Sequence, residues 1–149
     1  MLIFGLIILI FSIILHEVAH GWMADRLGAP TPRLSGRLTL NPLPHIDPMM
    51  SVFLPLLLIL TGSPVIFGSA KPVPIDPFNL RGGRKDLGLV GLAGPGTNLI
   101  LAVAAALIFK LLTLFPPLPA DYFILFLLKT AVFYTLLLAG LNLIPLPPL

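Results

Sequence analysis

The sequence predicts an all-α integral membrane protein of three to four transmembrane or re-entrant helices, with short β-strands between them. Three observations carry this class. Hydrophobic residues make up 57% of the 149 positions and charged residues only 10%, with a mean hydropathy of +1.04. Three apolar runs, Leu2 to Ala24, Leu87 to Phe115 and Tyr122 to Ile144, each reach the roughly 20 residues needed to cross a hydrocarbon core of about 30 Å. The basic residues gather in two connecting loops, as they do in multi-pass chains. A length of 149 residues fits one domain.

The first run, MLIFGLIILIFSIIL, carries no charge from Met1 to Leu15. It lacks a basic n-region and a small-residue cleavage site, and polar chemistry follows directly, so it reads as a retained helix and not a signal peptide. The loop after it holds Arg26, Arg33 and Arg37. Two stretches, PRLSGRLTLNP (32 to 42) and PVIFGSAKPVPIDP (64 to 77), mix β-branched residues, Gly and Pro with partial alternation, which predicts short edge strands. An exposed edge of that kind can receive an extended peptide. Plain loop structure is the simpler reading of any single residue there.

Between those stretches lies an apolar segment, 49 to 61 with a tail at 65 to 67, that is shorter than a span and interrupted by Pro55 and Pro64. The loop before the second long run carries Lys71, Arg81, Arg84 and Lys85. Both basic loops belong on the cytoplasmic side, which is consistent if 49 to 67 enters and leaves on one side as a re-entrant hairpin packed against protein. A short true span, with one loop against the charge rule, is the alternative. FPPLPAD (115 to 121) has no basic residue and suits the outer side.

Nine Lys and Arg against six acids leave a net charge of +3, but no stripe or tail forms a phosphate track, so the excess reflects topology and not nucleic-acid binding. The absence of cysteine removes disulfides, thiolate nucleophiles and Cys-based zinc sites.

HEVAH, residues 16 to 20, interrupts the first span with three ionisable side chains. On a helix, positions four apart differ by about 40° and lie about 6 Å apart along the axis, so His16 and His20 share one face and can bind one zinc. Glu17 points about 100° away, within reach of a metal-bound water without being a ligand, and so can act as general base. HExxH has only three fixed positions and also arises by chance. Within a span, however, a carboxylate costs about 2.5–3.5 kcal/mol on insertion scales, which makes such a cluster a functional hypothesis by default. From an outer end near Met1, His16 lies roughly 24 Å along the helix, inside the bilayer and nearer the cytoplasm.

Two further intrusions point to a shared cavity. GLAGPGTN (91 to 98) follows Gly88 with small residues that let helices approach closely, a packing seam in its plain reading. Asn98 either bonds backbone freed near Pro95 or faces the metal. NLIPLPPL (142 to 149) closes the third span with Asn142 and three prolines, so the chain there must unwind, which is tolerated where backbone lines a cavity.

In this order, HEVAHGW, RLTLNPLPHIDP, AKPVPIDPFNLRGGRKD, GLAGPGTN and NLIPLPPL resemble the site-2 protease family of intramembrane zinc metalloproteases, most closely its compact prokaryotic branch without a PDZ domain. The resemblance covers nearly the whole chain. It implies Zn2+ held by His16 and His20, Glu17 as base, and hydrolysis of transmembrane protein substrates by a multi-pass protein of the prokaryotic cell membrane, in contact with the lipid bilayer. Asn142 or Asn98 would donate hydrogen bonds near the oxyanion. The family's third ligand, an aspartate in L-D-G, would be the residue after Leu149, so the resemblance implies one membrane-embedded core over 1–149, incomplete at its C-terminus. Asp47 is a substitute ligand in one reading and a turn residue in the plainer one; His45 lines the site or is a satisfied loop histidine. A metal carrier, for which no internal repeat is found, and an inactive helix-binding member are the rival functions.

Overall fold

A computed structural model describes residues 2–63, 70–115 and 121–143. Three helices in it are long and apolar enough to cross a membrane: α1 (Leu2–Arg26), α4 (Arg84–Leu112) and α5 (Asp121–Leu143). They correspond to the three apolar runs, with ends shifted by a few residues. Two short helices, α2 (Thr31–Leu34) and α3 (Leu54–Leu60), lie in the connection between α1 and α4.

α1 runs unbroken because it contains no proline, and it stops at Gly28, whose φ is +109°. There Leu27 and Ala29 donate their N–H groups to the carbonyls of Met23 and Ala24 at 3.0 and 2.9 Å, which satisfies carbonyls at the helix end. A Cβ on Gly28 would stand 3.0 Å from the Asn79 carbonyl oxygen, so glycine is required by both φ and space. The Arg81 N–H then closes onto the Leu27 carbonyl at 3.1 Å. Ala24, Ala29, Leu80 and Val90 form a small buried cluster at this junction, binding the loops to the ends of α1 and α4.

α4 packs against both α1 and α5, and α1 also packs against α5, giving a three-helix bundle. Val90 and Asn98 of α4 reach His20 and His16 respectively, so α1 and α4 are antiparallel. Phe4 and Phe123 meet edge to face with centroids 5.1 Å apart, which places the N-terminal ends of α1 and α5 on the same side. Small residues occupy the inside of the bundle, among them Gly94, Ala102, Ala105 and Ala139, while Ile10, Phe11, Ile100, Leu107 and Phe133 face outward. This arrangement suits a lipid surround, where close backbone packing replaces hydrophobic burial as the source of association.

The interrupted segment forms a continuous helical piece from Pro48 to Leu60, wide-turned to Phe53 and α-helical as α3 thereafter. Asp47 starts it, its Oδ1 accepting from the N–H groups of Met49 and Met50 at 2.9 and 3.1 Å, an N-cap that satisfies orphan donors. Gly62, with φ +69°, ends it. At about 1.5 Å per residue the piece is about 20 Å long, too short to cross a core of about 30 Å. The tail at 65 to 67 and Pro64 lie outside the described residues, as do Ile144 and the prolines of NLIPLPPL.

The expected β-strands require correction: among the described residues there is none. Over 32 to 42 the alternation belongs to turns. Thr31–Leu34 closes one helical turn with Pro32 near its start, Arg37 donates its N–H to the Pro32 carbonyl at 2.9 Å, and Gly36 (φ +68°) reverses the chain. In the described part of 64 to 77, Pro72 and Pro74 supply no N–H, so a ladder cannot be continued. The donors beside them go elsewhere: Lys71 N–H to the His45 carbonyl at 2.9 Å, and Val73 N–H to Glu17 at 3.1 Å.

Candidate metal centre

His16 and His20 stand one turn apart on the face of α1 that meets α4, and His16 is only 4% exposed. Their Nε2 atoms approach to 2.9 Å, with the rings nearly perpendicular at 82°. Across from them α4 presents Val90, Gly94 and Asn98, a stripe four residues apart. His20 Nδ1 lies 2.6 Å from the Val90 carbonyl oxygen. A carbonyl only accepts, so Nδ1 carries the proton and neutral His20 offers its Nε2 lone pair. On His16, Nδ1 is 3.0 Å from the side-chain amide of Asn98, which is wholly buried.

Gly94 leaves the space in which the two rings converge. A Cβ there would come within 2.6 Å of both Nε2 and Cε1 of His16, and closer still to Nε2 of His20, a separation real Cβ atoms do not adopt. Two converging imidazole nitrogens, one held in the metal-binding tautomer by a backbone acceptor, suit a zinc ion as two of its three protein ligands. Among the described residues no third His, Cys, Asp or Glu joins them.

Glu17 points away from this pair toward the loop, where its Oε2 accepts from the Val73 N–H at 3.1 Å. The loop can lie this close because the next turn of α1 has Gly21. A Cβ on Gly21 would stand 2.9 Å from Leu38 Cδ2 and 3.1 Å from both Pro32 Cβ and Val73 Cγ1. Residues 71 to 73 thus bridge the His45 carbonyl and the Glu17 carboxylate.

The other sequence candidates have separate partners. His45 is 2% exposed and its Nε2 bonds the Thr39 carbonyl at 2.9 Å; it holds a turn together, and Arg37, also buried, donates Nη1 to the neighbouring Pro44 carbonyl. Asp47 is the N-cap described above. Asn142 is exposed, and its Nδ2 donates to the Leu138 carbonyl at 2.8 Å within α5. The structure therefore brings together His16, His20 and Asn98, places Glu17 beside them on the loop side, and gives Asn142 a partner in its own helix. Sequence reasoning did not single out Val90, Gly21 or Val73. A glycine inside a helix costs about 1 kcal/mol relative to alanine, so Gly21 immediately after HEVAH was a readable signal of close packing; a main-chain acceptor such as Val90 leaves no trace in residue type.

No protein-family model and no solved structure matches the chain. Curated relatives do match. It is 37% identical over 149 residues to the "Putative zinc metalloprotease YwhC" of Bacillus subtilis, an alignment covering 96% of the chain and 63% of that protein. It is 36% identical over 143 residues to the "Putative zinc metalloprotease Rip2" of Mycobacterium tuberculosis, covering 93% of the chain and 50% of the relative. The Rip2 of Mycolicibacterium smegmatis is 38% identical over 94 residues, covering 63% of the chain and 35% of that protein. The chain thus spans between about a third and about two thirds of the length of the relatives it matches.

Proposed function

We propose that this chain belongs to the site-2 protease family, with the proteins named "Putative zinc metalloprotease" YwhC and Rip2 among its relatives, and that it hydrolyses peptide bonds of transmembrane substrates within the bilayer. The observation that carries this reading is the convergence of His16 and His20 Nε2 at 2.9 Å, in a buried space opened by Gly94, with Glu17 on the adjoining turn.

His16 and His20 would hold the zinc. When bound, the ion polarises the scissile carbonyl and lowers the pKa of water to about 7. Glu17 accepts the proton of the attacking water and returns it to the leaving amine. Its Oε2 accepts from the Val73 N–H at 3.1 Å, which holds the carboxylate in place and still leaves lone pairs on both oxygens for that proton. The His20–Val90 bond keeps His20 oriented throughout. Asn142 is a candidate donor near the oxyanion.

Depth in the bilayer follows from the end of α1. Trp22 and Arg26 stack with the guanidinium carbon 4.8 Å from the ring centroid, a pair suited to the headgroup level. His16 is about 9 Å further along α1 by helical rise, which supports a site inside the hydrocarbon but nearer the basic loops, on the side we assign to the cytoplasm. A helical substrate hides its carbonyls in its own hydrogen bonds and has to unwind to reach this site.

Reconstitution with a single-span substrate tests the reading. Cleavage by the native enzyme, abolished by a chelator and by Glu17→Gln while bound zinc is unchanged, is expected. A Glu17→Gln enzyme that cuts at the normal rate refutes the assigned base. Native protein that binds the substrate and zinc without cutting would instead mark a helix-binding member, and zinc flux into vesicles a carrier.

A further inference from the structure

The role of Asn98 turns on which of its two side-chain atoms faces His16. We propose that Asn98 is a positioning residue: its side-chain oxygen accepts a hydrogen bond from His16 Nδ1–H and so keeps the Nε2 lone pair of His16 turned toward Nε2 of His20. This rests on the metal-ligand reading of the two histidines and deepens it.

The argument starts from the hydrogen count. His20 Nδ1 must donate to the Val90 carbonyl, 2.6 Å away, so neutral His20 has a bare Nε2. That atom faces His16 Nε2 at 2.9 Å. If the Asn98 amide nitrogen donates to His16 Nδ1 across 3.0 Å, the His16 proton sits on Nε2 and blocks it for a metal. That orientation also strands the Asn98 oxygen, which is buried without a partner among the described residues. Oxygen and nitrogen of an amide differ by a 180° rotation that leaves the shape unchanged and is assigned from the bonding network. Rotated, the oxygen of Asn98 accepts from His16 Nδ1–H. Both Nε2 lone pairs then face one point, an arrangement that a cation stabilises and its absence does not.

The two histidines are then built alike. Each donates Nδ1–H to an oxygen of α4: His20 to the main chain at Val90, His16 to the side chain at Asn98, two turns along the same helix. Gly94, midway between, leaves the space where their Nε2 atoms meet. Asn98 is 0% exposed, behind the ring of His16 and on the side opposite Nε2, so it acts through the ligand and not on the reacting carbonyl.

The experiment compares native protein, Asn98→Leu and Asn98→Asp in detergent, using Zn2+ affinity from competition with a chromophoric chelator and the visible absorption of the Co2+-loaded protein. Outer partners of a ligand histidine are typically worth about 10- to 100-fold in metal affinity, so Asn98→Leu should weaken Zn2+ by that factor. Asn98→Asp, whose side chain only accepts, should restore native affinity or exceed it, with a Co2+ spectrum of native shape. Helical circular dichroism and elution volume report folding separately; should the leucine variant fail to fold, the aspartate variant decides alone. If Asn98→Asp loses affinity as severely as leucine does, Asn98 donates to His16 and the proposal is overturned. If both variants bind Zn2+ as the native protein does, the residue only packs, and the proposal falls while the metal site stands. Native protein that takes up no Zn2+ or Co2+ would overturn the metal-ligand reading itself, and this proposal with it.

Discussion

Gly94 is the residue on which the centre depends most acutely without contributing an atom to it. Its replacement by alanine improves intrinsic helix propensity by about 1 kcal/mol, yet would set a methyl group 2.6 Å from His16 Nε2. Gly94→Ala is therefore expected to keep the helical content, to cost roughly 1–3 kcal/mol of stability as at other overpacked sites, and to weaken Zn2+ by at least tenfold in the folded protein. An alanine variant with native zinc affinity would show that the rings do not converge beside this position. The convergence of His16 and His20 was legible from spacing alone, because helical geometry converts i and i+4 into a shared face. The acceptors behind the rings were not: Val90 acts through its backbone, and Asn98 could be placed only once α1 and α4 were known to be antiparallel. Asp47 resolves as a turn residue for a local reason, since its carboxylate is engaged by the first two N–H groups of the following helix.

At the scale of elements, a glycine notch and the Glu17 carboxylate seat residues 71 to 73 against α1. Gly21→Ala should push Leu38, Pro32 and Val73 off the helix by a few tenths of an ångström, at a cost of roughly 1–3 kcal/mol as for other overpacked sites, and should speed proteolysis within residues 70 to 76. Unaltered proteolysis and thermal stability would show that the loop absorbs the methyl group. Gly28→Ala should destabilise the end of α1 as well, because φ +109° is strained for any other residue and the Asn79 carbonyl blocks a side chain; its effect should appear in thermal unfolding and not in metal affinity of the folded fraction. The long helices were readable because their apolar runs are long and uninterrupted. The loops misled because Pro and Gly between β-branched residues produce the same alternation in turns as at strand edges, and only the destination of each N–H separates the two. In 70 to 76 the N–H groups of Lys71 and Val73 are committed to His45 and Glu17.

For the whole molecule, the fold gathers the basic loops at one end of the bundle. α1 and α5 begin on one side, α4 on the other, and the loops carrying Arg33, Arg37, Arg81, Arg84 and Lys85 gather where Trp22 and Arg26 mark the end of α1. Lys129, a charge inside the third span that the sequence reading passed over, directs its ammonium over the ring of Phe109 at 5.3 Å. Side chains on a helix lean toward its N-terminus, so Lys129 snorkels toward the end of the bundle from which α5 begins. The chain has no cysteine, which makes single-cysteine labelling direct: Ser35→Cys should react with an impermeant maleimide only from the cytoplasmic side and Asp121→Cys only from the opposite side. Both positions labelling from one side would overturn the arrangement of α4 between them.

The central claim is that His16 and His20 together bind a metal ion, and zinc analysis of the purified protein beside its His16→Ala and His20→Ala variants tests it most directly. The native protein should carry stoichiometric zinc, and each single substitution should remove it while leaving the helical signal intact. Equal zinc in all three, or none in any after zinc loading, would contradict the account.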